Sequence, residues 1–298
     1  MQRFLALSRS AHGVLDIAMP GFVALLWLGH FPSWPVLIVC LIAAVAGYTA
    51  IYGLNDIMGV RDDEEKVAGG ITPGYAVEAS AMRYPIAQKL ITMGGALAWF
   101  GAWMGIAVVS IWFLNPRILV ILLAAVLLEI AYVKLFKITW WRTLVSGLVK
   151  SAGPLAAVYA VIEQPHWPWL LLMLVWLMLW EVGGQNIPAD WNDIAEDERV
   201  GGRTIPLVFG LPVAGKTVFV LLLGVVALSL VLPVMSPLAL GWPYVAVVLT
   251  AGILLLLWPA LRLLRNLDDG RQAARLFDRS SLYPLALLVI ISVFVLLR

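Results

Sequence analysis

Residues 167–197 read WPWLLLMLVWLMLWEVGGQNIPADWNDIAED, an apolar run that ends in a group of aspartates. The run is long enough to cross a bilayer, since a spanning helix needs about 20 mainly apolar residues. Asp190, Asp193 and Asp197 follow it at successive spacings of three and four residues. If the helix continues beyond the membrane, these spacings place the three carboxylates on one face. The stretch therefore predicts a membrane-spanning helix with an acidic site at one end.

The composition of the whole chain agrees with a membrane protein. Hydrophobic residues make up 62% of the sequence and charged residues only 13%, whereas soluble domains carry about 25% charged residues. A soluble fold of this length could not bury so much apolar surface. The net charge of +2 does not favour nucleic acid as a partner, and the one cysteine, Cys40, cannot form an intrachain disulfide.

Apolar runs separated by short polar stretches continue along the chain. They are near-continuously apolar and do not alternate in short strands, which favours helices over a β-barrel. We therefore predict an all-α polytopic membrane protein of about nine transmembrane helices around a central cavity open to the cytoplasmic side. The predicted spans are 12–30, 35–54, 85–113, 117–134, 143–162, 166–186, 213–234, 239–264 and 280–297.

The distribution of Lys and Arg predicts the orientation. With nine spans, 17 cations fall on the N-terminus and the even-numbered connections, whereas the opposite side has only Arg117 and Arg298. Cytoplasmic connections carry the excess of positive charge. We therefore expect a protein of the cytoplasmic membrane with its N-terminus in the cytoplasm and its C-terminus outside.

Two long connections, 55–84 and 187–212, lie on the predicted cytoplasmic side and both begin with acidic residues. The first contains Asn55, Asp56 and Asp63, and the second contains the three aspartates quoted above. Carboxylates on one face repel one another unless a cation lies between them, and Mg²⁺ prefers oxygen ligands from carboxylates and phosphates. Two opposed acidic faces could therefore hold Mg²⁺ and a diphosphate. Lys66 and Arg203, which follow the motifs, could bind phosphate oxygens.

Ionisable residues inside the predicted spans give a second signal, because they are costly in a bilayer and usually mark a functional site. His12, Asp16, Glu129, Lys150 and Glu181 all lie toward the same membrane face as the two acidic motifs. This asymmetry predicts a polar cavity closed by apolar packing beyond it. A helix–helix pair of His12 with Asp16, and glutamates that reach the membrane interface, are the alternative interpretations.

Taken together, these motifs resemble those of the UbiA-type polyprenyltransferase family, whose members carry NDxxDxxxD after helix two and DxxDxxxD after helix six. Asp190, Asp193 and Asp197 match the second motif in full. In the first motif Asn55, Asp56 and Asp63 match, but Gly59 occupies the position of the middle aspartate. Tyr132 and Lys137 are similar to the family's segment after helix four, and Arg203 to its conserved continuation after the second motif.

The resemblance implies one prenyltransferase domain over residues 1–298, in which the loops 55–84 and 187–212 form a cytoplasmic cap. It implies Mg²⁺ as the cofactor, and a polyprenyl diphosphate and a small acceptor as substrates. The implied metal ligands and catalytic residues are Asp56, Asp63, Asp190, Asp193 and Asp197. The implied substrate-binding residues are Asn55, Tyr132, Lys137, Lys150, Asn186 and Arg203.

The acceptor remains open at this level. The leading interpretation is an aromatic acceptor such as a hydroxybenzoate-type precursor in lipoquinone synthesis. The alternatives are a glycerol phosphate lipid acceptor, a non-catalytic protein that binds isoprenoid diphosphates, and a transporter.

Overall fold

A computed structural model of the chain describes residues 2–9, 13, 15–71 and 82–298. In these residues the secondary structure is helical, without a strand. A short helix α1 (Gln2–Leu7) precedes the membrane region. The later helices are α2 (Ala18–Leu28), α3 (Trp34–Ala68), α4 (Met93–Leu114), α5 (Ile118–Lys134), α6 (Arg142–Val161), α7 (Trp167–Asn192), α8 (Ile194–Arg199), α9 (Ile205–Phe209), α10 (Leu211–Ser229), α11 (Gly241–Arg265) and α12 (Gly270–Leu296).

The predicted membrane architecture is confirmed. Seven helices of the described part are long and apolar enough to cross a membrane: α3, α4, α6, α7, α10, α11 and α12. The shorter helices α2, with 11 residues, and α5, with 17 residues, stand where the first and fourth spans are predicted. Large apolar side chains such as Trp112, Phe113 and Trp242 are exposed on the outer surface, as expected of residues that face lipid.

The structure differs from the prediction in the two acidic connections. Residues 55–68, predicted as the start of a loop, are helical, because no proline interrupts α3 before Gly69. Most of 187–212 is also helical, in the end of α7 and in α8 and α9. Hydropathy detects only the apolar part of such a helix, so a span predicted from it ends where the polar residues begin. Residues 72–81 of the first connection lie outside the described part.

Two other helix starts differ from the predicted spans. Helix α4 begins at Met93 and not at residue 85, because the Thr92 side chain caps it by accepting a hydrogen bond of 3.1 Å from the Gly95 N–H. Helix α12 begins at Gly270 and not at residue 280, because Asp269 accepts a hydrogen bond of 3.1 Å from the Arg271 N–H. Side-chain caps of this kind satisfy the free N–H groups at a helix start.

The helices enclose a cavity beside one main apolar core. The core lies between α2, α7, α10, α11 and α12, where Phe22, Trp176, Leu222, Tyr244 and Tyr283 are fully buried. Helices α2, α3, α5, α6 and α7 supply most of the wall of a cavity of about 1160 Å³. The core therefore holds one side of the bundle rigid, while the other side surrounds open space.

Candidate active site

The cavity carries both acidic motifs at one end, and much of the rest of its wall is apolar, although Glu129, Lys150 and Glu181 also line it. Both acidic motifs line the polar end, together with Arg83 and Arg142. Leu37, Leu41 and Ile118 are among the residues that line the other part. The five predicted metal-binding aspartates all contribute to this one cavity, so the structure brings both motifs together as predicted.

The first motif lies on α3, where spacings of three and four residues bring its side chains to the cavity. Asp56 is buried, and an Arg9 Nη2 atom lies 3.7 Å from its Oδ1 atom. Asn55 donates a hydrogen bond of 2.5 Å to Glu129 Oε1, so a residue of α5 orients the start of the motif. Helical spacing of this kind places neighbouring turns on one face.

Gly59 leaves a gap in this row of carboxylates. A Cβ atom at Gly59 would meet Asp63 Oδ2 at 3.5 Å and Val133 Cγ1 at 3.6 Å, and both are ordinary contact distances. Steric exclusion therefore does not explain the missing middle aspartate.

The second motif crosses a break between two helices. Asp190 lies in α7 and Asp197 in α8, while Asp193 adopts φ −103° and ψ 8° at the junction. The helix therefore does not continue unbroken through the three aspartates, as their common face would have required for a single helix. All three side chains still line the cavity, because the break occurs after one helical turn and preserves their common side.

Each aspartate of the second motif faces a basic side chain. The distances are 3.3 Å from Arg142 Nη2 to Asp190 Oδ1, 2.9 Å from Arg83 Nη2 to Asp193 Oδ1, and 2.7 Å from Lys66 Nζ to Asp197 Oδ1. Burial raises the pKa of Asp193 to about 6, and the neighbouring Arg83 and Lys66 guanidinium and ammonium groups oppose this shift. At the polar end of the cavity, each carboxylate of the second motif is therefore paired with one basic side chain.

Sequence reasoning did not assign Arg142 to the site. Its Nη2 atom donates a hydrogen bond of 2.6 Å to the Tyr132 hydroxyl, which also accepts one of 3.1 Å from Asn186 Nδ2. The predicted residues Tyr132 and Asn186 therefore do meet at the site. The position of Arg142 at the start of a predicted span, on the same side as the two acidic motifs, is the signal that could have identified it.

Phe136 packs under two of the site's cations. Its ring centroid lies 4.8 Å from both Lys66 Nζ and Arg142 Cζ, an arrangement that stabilises a desolvated cation. A Cβ atom at Gly202 would lie 2.7 Å from Phe136 Cζ, so glycine is needed for this close approach. The segment after the second motif thereby holds the aromatic ring in place.

The structure does not bring two predicted phosphate-binding residues to the cavity. Lys137 Nζ lies 2.9 Å from Asp62 Oδ1 and 2.7 Å from Glu65 Oε2, and Lys137 itself is not among the residues that line the cavity, although Asp62 is. Arg203 is exposed, and its backbone N–H donates to the Phe136 carbonyl at 2.9 Å. The cations that line the cavity beside the second motif are Lys66, Arg83 and Arg142.

A second polar cluster lies deeper in the membrane region. Lys150 Nζ is 2.5 Å from Asp16 Oδ2 and 2.6 Å from the Tyr52 hydroxyl, which itself donates to Asp16. At about 1.5 Å per residue, Lys150 lies roughly 12 Å along α6 from Arg142. The predicted partner of Asp16, His12, lies outside the described residues.

The residues at the polar end fit a Mg²⁺ ion by the chemistry of their donors. In the part of the chain that the structure describes, no group of three or more His, Cys, Asp or Glu side chains is already arranged as a metal cage. However, Asp190 Oδ2, Asn186 Oδ1 and Asn192 Oδ1 are buried oxygens without a hydrogen-bond partner. Mg²⁺ commonly takes one or two carboxylates and completes its shell with water and substrate phosphates, and these oxygens supply that kind of partial shell.

Solved structures share this fold over nearly the whole chain. The apo structure of a UbiA homologue from Aeropyrum pernix K1 is 18% identical, with a TM-score of 0.69 over 96% of this chain and 98% of that one. A UbiA homologue from Archaeoglobus fulgidus bound to DMAPP and Mg²⁺ is 15% identical, with a TM-score of 0.70 over 98% and 99%. A structure of digeranylgeranylglyceryl phosphate synthase is 15% identical, with a TM-score of 0.69 over 100% and 99%. At these identities the likeness shows the fold.

Sequence comparison supplies the family. No curated protein sequence matches the chain. The sequence model of the UbiA prenyltransferase family, in contrast, matches residues 17–282, which include both acidic motifs and all nine predicted spans in whole or in part. The chain therefore belongs to the UbiA prenyltransferase family.

Proposed function

We propose that this prenyltransferase transfers a polyprenyl group from an isoprenoid diphosphate to an aromatic acceptor in a Mg²⁺-dependent reaction. The observation that carries the proposal is the continuity of one cavity from the carboxylates and cations of the two motifs to an apolar interior. A diphosphate fits the charged end and an isoprenoid chain fits the apolar part. The Archaeoglobus fulgidus relative bound to DMAPP and Mg²⁺ supports this assignment.

The charged end would bind and activate the diphosphate. Asp56 and Asp63 on one side and the three aspartates of the second motif on the other would hold Mg²⁺, which supplies Lewis-acid stabilisation of the leaving diphosphate when bound. Lys66, Arg83 and Arg142 would donate hydrogen bonds to its oxygens. These groups stabilise the charge that develops as the allylic C–O bond breaks, so bond cleavage becomes easier.

The apolar part would receive the isoprenoid chain. Its wall includes α3 residues from Leu37 to Ile51, a distance of about 21 Å at 1.5 Å per residue. This is a large part of the hydrocarbon thickness of a bilayer, which is about 30 Å. The same apolar wall would exclude water, which would otherwise react with the carbocation before the acceptor does.

A glycerol phosphate lipid is the second candidate acceptor. The observation that favours it is the shared fold with digeranylgeranylglyceryl phosphate synthase. A non-catalytic protein that binds isoprenoid diphosphates would use the same cavity, and only a test for product separates it from a transferase. A transporter is less compatible with two acidic motifs that meet at one end of the cavity.

A product screen tests the proposal. Purified protein would be incubated with GPP and longer isoprenoid diphosphates, with phenolic and glycerol phosphate acceptors, and with Mg²⁺ or EDTA. We expect a prenylated phenol by mass spectrometry and diphosphate release only with Mg²⁺. A prenylated glycerol phosphate would establish the second candidate instead. If neither product forms and no diphosphate is released, prenyl transfer is refuted.

The proposal also covers the domain organisation of the protein and its orientation in the membrane. We infer that residues 1–298 act as one domain, with 55–84 and 187–212 as a cytoplasmic cap, in the cytoplasmic membrane. The excess of Lys and Arg on the side of the acidic motifs supports an N-terminus in the cytoplasm and a C-terminus outside. A reporter active only outside the cytoplasm, fused after Arg298, should be active, and an inactive but expressed fusion would contradict this orientation.

A further inference from the structure

Helix α7 changes its winding just before the second motif. Residues Glu181–Asn186 form a π-helical turn within the otherwise α-helical segment. Such turns insert one residue into the helix, and they are frequent at functional sites because they redirect side chains. All six residues of this turn are buried. The turn brings Glu181, Gln185 and Asn186 to the cavity wall.

Helices α10 and α12 hold the π-helical turn in place from behind. Gln185 Nε2 donates to Ser280 Oγ at 2.5 Å, and Ser281 Oγ donates to Gln185 Oε1 at 3.1 Å. A Cβ atom at Gly183 would lie 2.9 Å from Leu221 Cβ, so the backbone packs closely against α10. The turn is therefore preorganised by its neighbours, and the direction of the Glu181 side chain is set by the fold.

The Glu181 carboxylate has one oxygen in use and one free of hydrogen bonds. Ser146 Oγ donates to Oε1 at 2.7 Å. The Oε2 atom is buried and has no hydrogen-bond partner, and the whole residue is only 3% exposed, so bulk water does not satisfy this oxygen. A buried polar atom without a partner costs free energy, and this one belongs to a residue that lines the cavity. The free oxygen therefore indicates a ligand that donates a hydrogen bond.

The depth of Glu181 separates it from the diphosphate site. It precedes Asp190 by nine residues, which corresponds to about 13 Å along the helix at 1.5 Å per residue. A metal-bound diphosphate and the first isoprenoid carbon would occupy part of that distance. The remaining cavity space beside Glu181 is open to a second molecule that approaches the reacting carbon.

We propose that Glu181 Oε2 binds the phenolic hydroxyl of the acceptor and thereby selects acceptors that carry a hydroxyl group. The inference rests on the proposed prenyl transfer for its place in the reaction. A carboxylate oxygen can accept a hydrogen bond from O–H but cannot donate one, so an aryl ether or an acceptor with only carbonyl groups does not satisfy it. The hydrogen bond also increases electron density in the aromatic ring, which favours attack on the allylic cation.

Binding of a small phenol tests this inference without any turnover. Dissociation constants of 4-methylphenol and its methyl ether, 4-methylanisole, would be measured by saturation-transfer NMR on the full-length protein in detergent, with empty micelles as the partition reference. The variant Glu181→Gln keeps an oxygen for Ser146 but places an amide N–H₂ where Oε2 stood. Glu163→Gln, at an exposed position outside the cavity lining, is the matched control.

We expect the native protein and Glu163→Gln to bind the phenol about tenfold more tightly than the ether, as a hydrogen bond to a charged group provides. Glu181→Gln should remove this preference. Equal binding of both probes by the native protein, or an unchanged preference in Glu181→Gln, would overturn the inference. If Glu181→Gln does not fold, Glu181→Asp, which shortens the side chain by one methylene, should reduce the preference, and a full preference would refute the role.

The binding result and the product screen fail separately. A phenol preference that depends on Glu181, in a protein that releases no diphosphate, would refute prenyl transfer and retain the hydroxyl site. Prenyl transfer without that preference would support the transferase function and refute the hydroxyl site at Glu181.

Discussion

Lys66 Nζ lies 2.7 Å from Asp197 Oδ1, and this contact joins the helix of the first acidic motif to the helix of the second. Both side chains are largely buried, at 10% and 3% exposure. The two motifs are 134 residues apart when measured from Asp56 to Asp190, which is 190 minus 56. This ion pair, together with hydrogen bonds from Arg199 to the Gly69 and Gly70 carbonyls, therefore links two distant parts of the chain around the proposed diphosphate site.

Replacing Lys66 by Met should weaken substrate binding. The variant loses a cation that can donate to diphosphate oxygens, and hydrogen bonds to charged groups contribute about 1.5–3 kcal/mol. We expect the KM for GPP to rise at least about tenfold. Lys216→Met, at an exposed position on α10, should leave the KM unchanged. Equal KM values in native protein and Lys66→Met would exclude Lys66 from diphosphate binding.

Replacing Asp190 and Asp193 together by Asn should abolish Mg²⁺-dependent diphosphate release. The amides retain the shape of the side chains but remove two negative charges from the oxygen ligands of the metal. We expect a loss of at least about 100-fold, the scale on which single electrostatic groups act in transition states. Asp269→Asn, at the half-buried N-cap of α12 and outside the cavity lining, provides the matched control. Turnover close to native in the double variant would refute the proposed mechanism.

Restoring the middle aspartate by Gly59→Asp should tighten metal binding. The distances of 3.5 and 3.6 Å to the nearest atoms leave room for the added Cβ, and Asp56 and Asp63 lie on adjacent turns. We expect Mn²⁺, used as an electron paramagnetic probe for Mg²⁺, to bind about tenfold more tightly, because one more carboxylate faces the cation. Gly59→Asn adds a side chain of nearly the same size as aspartate but without its charge, and so separates the effect of charge from the effect of size. If Asn and Asp variants bind Mn²⁺ equally, the first motif does not coordinate the metal through this position.

Removing the Lys150 ammonium group should destabilise the protein through Asp16. The two groups are 2.5 Å apart in a largely buried pair, with 19% and 4% of the side chains exposed, and removing one partner of a fully buried pair costs up to about 3–5 kcal/mol. Lys150→Met should therefore lower the melting temperature in detergent, and the double variant with Asp16→Asn should recover most of the loss.

Activity distinguishes a structural pair from a functional one. We expect the Lys150→Met, Asp16→Asn double variant to regain stability but to keep a raised KM for the acceptor, because Lys150 lines the cavity, as Glu181 does. A double variant with native stability and native kinetic constants would show that the pair only joins α2 to α6.

The membrane fold could be predicted closely from local features. Apolar runs such as 167–180 define spanning helices wherever they occur, and the spacing of Asp190, Asp193 and Asp197 places them on one side even though the helix breaks at Asp193. Helix ends were harder, because the polar residues 55–68 continue α3 beyond the apolar segment, and hydropathy does not detect a solvated helical turn.

Two properties of this protein followed from the sequence alone, namely its membrane class and the pair of acidic motifs, since both depend on short-range composition and spacing. Tertiary structure alone decided which cations meet those motifs: Arg83 and Arg142 approach Asp193 and Asp190, whereas Lys137 turns to Asp62 and Glu65. It also decided that Lys150 pairs with Asp16 and that Glu181 keeps one buried oxygen free. These pairings join residues far apart in the chain, and their energies depend on distance and burial, which become defined only when the helices pack.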